Sequence, residues 1–115
     1  MNELVEQVKQ WGIDKGITGP NGKGTLLGQL FKTQEELTET RDASMKWILA
    51  DATHGNYKDA MSEQIKDGIG DTTVTLILAA EMANLDFQEC LQAAYDEIKG
   101  RTGHMENGTF VKNNK

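Results

Sequence analysis

A chain of 115 residues and 12.7 kDa matches one domain of ordinary size and can bury a core without staples, which its single cysteine, Cys90, could not supply internally. Twelve Lys and Arg against eighteen Asp and Glu leave a net charge of −6, so a nucleic-acid polymer is a poor partner. The longest apolar stretch, Val74 to Ala80, is far short of the roughly 20 residues of a membrane span, and the acidic N-terminus Met1–Glu6 lacks the features of a secretory signal; no membrane partner and a cytoplasmic location are expected.

One proline, with most glycines in three clusters, predicts an all-α fold of long helices rather than many short strands. From Asn2 to about Lys15, Leu4, Val5, Val8 and Trp11 recur at helical spacing and predict an amphipathic helix. Residues Gly16 to Gly24 contain Pro20 and four glycines, cannot sustain a helix, and read as a flexible nine-residue loop. Thr25 is the expected cap of a second helix, whose apolar stripe (Leu26, Leu27, Leu30, Leu37, Met45, Ile48, Leu49) reaches about Ala52. His54-Gly55-Asn56 breaks the pattern. A third helix is predicted from about Lys58 to Asn84, with Met61, Ile65, Ile69, Thr72, Leu76, Ala79 and Ala83 inward and a middle that is apolar all round. Asp86 should cap a fourth helix through about Gly100, with Glu89 in the capping-box position and Phe87, Cys90, Leu91, Ala94, Tyr95 and Ile98 inward. Residues 101–115 form a short irregular tail of the single domain 1–115, marked by turns at Gly103 and Asn107-Gly108 around a Thr109–Val111 segment of extended character. Helices this long cannot all be covered within a four-helix monomer, so oligomerisation is expected to complete the bundle.

Chemistry concentrates in carboxylates. Glu35, Glu36 and Glu39 follow Lys32 on the second helix, where residues three or four apart share a face. On the third helix Asp67 and Asp71 stand four apart, about 40° around the axis, and Asp71 adjoins the most apolar run, which predicts partial burial. Antiparallel packing of these two helices would bring both acidic pairs into one space. Carboxylates about 4 Å apart repel by roughly 4 kcal/mol at an effective dielectric of 20, so such a cluster must be exposed, protonated or bound to a cation. All-oxygen ligation favours Mg²⁺ or Mn²⁺. The plain alternative is a solvated acidic face.

The pattern Lys32-x-x-Glu35-Glu36-x-x-Glu39, followed by Asp67-Gly68-Ile69-Gly70-Asp71 and an apolar run, resembles the all-α nucleoside triphosphate pyrophosphohydrolases of the MazG type. Lys99 and Arg101, followed by Gly103 to Lys112, resemble the tail of small phage-encoded members, so the likeness covers nearly the whole chain. In that family Glu-x-x-Glu and Glu-x-x-Asp on successive helices bind Mg²⁺. By position Glu36, Glu39 and Asp71 match, whereas the second-motif Glu falls on Gly68; Asp67, one residue earlier, is the natural substitute. The resemblance implies hydrolysis of a nucleoside triphosphate between its α and β phosphates, giving a monophosphate and pyrophosphate. It makes Glu35 or Glu39 the general base, Glu36, Glu39, Asp67 and Asp71 the metal ligands, and Lys32, Lys99, Arg101 and Lys112 the substrate-binding cations. It also implies a homodimer or homotetramer. Two alternatives stay open: action on phosphoribosyl-ATP or another specific nucleotide, and a non-catalytic helical interaction module with a degenerate metal site.

Other signals are weaker. Gly19 to Thr25 resembles a phosphate-binding loop, but Gly24 stands where Ser or Thr is required and no strand precedes it. His54 and His104 have no second ligand at zinc spacing. Cys90 reads as a small core residue, and Trp11, Trp47 and Tyr95 as core or oligomer-interface residues, with base stacking by one of them as the functional alternative.

Overall fold

The computed structural model describes residues 2–50 and 55–113. Four helices, α1 (Asn2–Asp14), α2 (Leu26–Leu49), α3 (Gly55–Met82) and α4 (Phe87–Ile98), precede two short strands, β1 (Gly103–Glu106) and β2 (Thr109–Lys112). The strands pair antiparallel, with Glu106 opposite Thr109 and Gly103 opposite Lys112. The tail is thus a hairpin rather than irregular. Asn107 and Gly108 supply it with φ of +50° and +83°, the two left-handed residues a tight hairpin turn demands.

Local chemistry sets the helix ends. Thr25 Oγ1 accepts a hydrogen bond from the Gly28 N–H at 3.0 Å, and Asp86 Oδ2 accepts one from the Glu89 N–H at 3.0 Å. At the end of α3, Asn84 takes a φ of +59° while the Leu85 N–H donates to the Ala80 carbonyl and the Asn84 N–H to Glu81, a Schellman stop. α3 begins at Gly55, three residues before the predicted start; α2 stops at Leu49, with Ala50 extended at its end, short of the expected Ala52, and the break at His54 falls outside the described residues.

The loop between α1 and α2 is tied by its own backbone hydrogen bonds. The N–H groups of Gly16, Ile17, Thr18, Gly22, Lys23 and Gly24 all donate to carbonyls between Gly12 and Gly19. These six donors are spent on the loop itself and are not turned toward a ligand as the N–H groups of a phosphate-cradling loop are.

α2 and α3 run antiparallel along most of their length. Thr33 and Thr75 hydroxyls meet at 2.8 Å, and Trp47 Nε1 donates to Ser62 Oγ at 2.9 Å. Between them Gly68 lies directly against Thr40. The middle of the seam is made of small and hydroxyl-bearing residues, with Ala43 and Thr75 buried, so the helices approach closely there, and Met61 is buried toward the Trp47 end. α1 packs on another side of α3, and α4 meets α1 and α3 but not α2. The core proper gathers around Val5, Ile77, Leu78 and Ala79.

Much of the predicted inner surface is uncovered in this chain. Ile69 and Leu76 are exposed, and so are Cys90, Leu91, Ala94, Tyr95 and Ile98 of α4. Trp11, Trp47 and Tyr95 are exposed as well. Most of the apolar stripe of α2 is exposed, because Thr33, Glu36, Thr40 and Ala43 occupy the packed side, while Ile48 borders a cavity with Ser62 and Ile65 of α3. The radius of gyration is 17.3 Å, against about 13 Å for a compact domain of this length. No helix among the described residues is long and apolar enough to cross a membrane.

Candidate active site on the acidic flank of α2 and α3

Helix geometry determines which carboxylates share a side. At 100° per residue, Glu36 lies beside the packed line of α2, with Glu39 about 60° and Glu35 about 100° further to one side of it. On α3, Asp71 and Asp67 fall between the line facing α2 (Gly68, Thr72, Thr75) and the residues turned toward α1, among them Val74 and Ile77. Because antiparallel helices wind in opposite senses seen from one end, these offsets bring Glu36, Glu39 and Asp71 to one flank of the pair. Leu30, Leu37, Ile69 and Leu76 fall on the opposite flank.

Glu36 is the most sheltered of the acids, its side chain 15% exposed, and Lys32 Nζ lies 3.5 Å from it and 2.9 Å from Glu35. The hydrogen bond to Glu35, reinforced by the charges of both glutamates, raises the Lys32 pKa above its ordinary value, so this cation remains charged beside the acids. Glu39, Asp67 and Asp71 have no ion-pair partner among the described residues. Asp71 is exposed rather than partly buried, because α1 leaves a cavity of about 390 Å³ beside it, lined by Gln7, Val8, Trp11, Asp71 and Val74. Trp11 therefore stands at the wall of a cavity that also contains a candidate metal ligand.

Not every predicted site residue is brought together. Among the described residues no three His, Cys, Asp or Glu side chains form a group able to hold a metal ion. Lys99 is bound to Asp96 at 3.3 Å and Arg101 to Glu97 at 2.8 Å, both at the end of α4, while Lys112 lies on β2. Neither α4 nor the hairpin packs against α2, so Lys32 alone of the predicted cations stands beside the acids. Two residues of the site region carry no motif signal in the sequence. Thr40 blocks any side chain at position 68, and Thr72 Oγ1, next to Asp71, is buried without a hydrogen-bond partner. The acids on this flank offer only oxygen donors, the type a hard cation takes, whereas the unsatisfied Thr72 hydroxyl lies on the side packed against α2.

No family model, curated protein or solved structure matches the chain.

Proposed function

We propose that the protein is a Mg²⁺-dependent nucleoside triphosphate pyrophosphohydrolase of the cytoplasm, releasing a monophosphate and pyrophosphate. One observation carries this: Glu36, Glu39 and Asp71 share a flank of the α2–α3 pair, with Glu39 and Asp71 unpaired among the described residues and Asp71 opening onto the Trp11 cavity. Glu36, Glu39, Asp67 and Asp71 would hold the metal, with Mn²⁺ as a substitute. Bound there, the cation would screen the triphosphate from the acids and polarise the α-phosphate. Glu35 or Glu39 accepts the proton of the attacking water. Lys32 balances charge on the phosphates, and Trp11 offers an aromatic wall for the base. Lys99, Arg101 and Lys112 complete the substrate's cation set only if another copy brings them there.

Self-association belongs to the same reading. Leu30, Leu37, Ile69 and Leu76 are all exposed on the flank opposite the acids, a face suited to closing a bundle against the same face of a second copy. The absence of three converging ligands among the described residues of one chain favours one second reading, a non-catalytic helical module. Incubation with Mg²⁺ and a panel of ribo- and deoxyribonucleoside triphosphates separates the two. Equal release of monophosphate and pyrophosphate is expected; orthophosphate release, or no turnover of any nucleotide, overturns the enzymatic reading.

A further inference from the structure

We propose that the C-terminal arm, residues 99–112, is a clasp that docks on the outer face of α2 of a second copy of this chain. The hairpin packs against none of the helices, and all eight of its strand residues are exposed. A two-stranded hairpin standing alone is marginal in water, so a defined hairpin with no support in its own chain calls for a surface elsewhere. Its cross-strand pair Met105 and Phe110 forms an apolar patch, 65% and 53% exposed.

Charge identifies the surface. Residues 99–112 carry Lys99, Arg101 and Lys112 against Glu106, a net +2, whereas residues 1–98 carry eight basic and seventeen acidic residues, a net −9. The arm and the body are therefore electrostatic complements, yet they do not pack together within one chain. The outer face of α2 matches the arm in both respects. Leu27, Phe31 and Glu35 follow one another at four-residue spacing, with Asp42 further along the same face, and all four are exposed on the side turned away from α3. Met105 and Phe110 would cover Leu27 and Phe31 while Lys112 and Arg101, the latter exchanging its Glu97 partner, approach Glu35 and Asp42, which in their own chain lie 2.9 Å from Lys32 and 3.8 Å from Arg41. Because α4 never meets α2 of its own chain, the α2 that receives the arm belongs to another copy.

Docking of the arm requires self-association and not catalysis, so its test needs no substrate, and the nucleotide panel tests the enzymatic reading separately. Benzoylphenylalanine placed at position 110 of the full chain is photolysed in a mixture of ¹⁵N-labelled and unlabelled protein. Crosslinks between labelled and unlabelled chains should map to α2 between Leu27 and Asp42. The Arg101→Glu/Lys112→Glu variant should lose at least fivefold of that yield, and mixing it with a Glu35→Lys/Asp42→Lys chain should restore most of it. Helical circular dichroism of each variant checks that folding is kept. Crosslinks confined to the arm's own chain, crosslinks only to another protein or to nucleic acid, no crosslink, or a yield indifferent to the charge reversals would each overturn the proposal.

Discussion

Gly68 on α3 lies so close to Thr40 on α2 that a side chain at position 68 would collide with the Thr40 hydroxyl, which itself donates to the Glu36 carbonyl at 2.8 Å. The glycine where the resembled family has a glutamate is thus tied to the spacing of the two helices that carry the acids. Gly68→Ala should destabilise by on the order of 1 kcal/mol, because overpacking outweighs the gain in helix propensity. A melting temperature lower by about 4 °C is expected. Thr40→Ala should cost less in the Gly68→Ala background than alone, a coupling that a double-mutant cycle of thermal melts reads directly.

Acid sensitivity should centre on Lys9. Its ammonium lies 2.8 Å from Asp86, 3.0 Å from Glu6 and 3.6 Å from Glu81. The hydrogen bond to Asp86, then that to Glu6, holds the Lys9 pKa well above its usual range; the hydrogen bond from Lys9, then the Glu89 N–H, holds Asp86 below its usual 3.8. A depressed carboxyl contributes stability that is complete above pH 3.8 and is lost as pH falls through its lower folded value. A raised ammonium contributes below its usual 10.5 and loses its share only above that. Lys9→Met should lower the melting temperature at neutral pH and flatten its decline below pH 4, as a series of melts from pH 2 to 8 would reveal.

Removal of metal or ligands should silence turnover without unfolding the chain. EDTA is expected to stop pyrophosphate release, with recovery on adding excess Mg²⁺. Ala at Glu36, Glu39 or Asp71 should reduce activity at least a hundredfold while leaving the far-ultraviolet dichroism intact. Full activity in Asp67→Ala would show that Asp67 does not replace the glutamate missing at position 68.

Light scattering at micromolar concentration should give a mass of at least twice 12.7 kDa. Leu37→Glu together with Ile69→Glu places charge on the exposed apolar flank, remote from the acids, and should shift the species toward monomer. A 12.7 kDa particle for the unmodified chain would contradict self-association.

Trp11→Ala should raise KM for nucleotides more than it lowers kcat if the ring stacks on the base, since stacking contributes to substrate and transition state alike. Steady-state kinetics on the best substrate of the panel is the measurement.

The sequence by itself determined the features that depend on near neighbours. The four helices follow from apolar periodicity, their starts from Thr25 and Asp86, and the grouping of Glu36 with Glu39 and of Asp67 with Asp71 from helical spacing. It contained the hairpin too, since Asn107-Gly108 between short runs is a turn signal, but a four-residue strand carries little periodicity. Tertiary structure decided what each face meets. Periodicity marks a stripe as apolar without saying whether one chain can cover it, so Ile69, Leu91 and Tyr95 read as inward and stand exposed. It decided that threonines and Gly68, rather than leucines, join α2 to α3, because the close approach of two backbones depends on residues some 30 to 40 positions apart. It left Lys99, Arg101 and Lys112 beyond reach of the acids of their own chain, because α4 packs on α1 and α3 and never on α2.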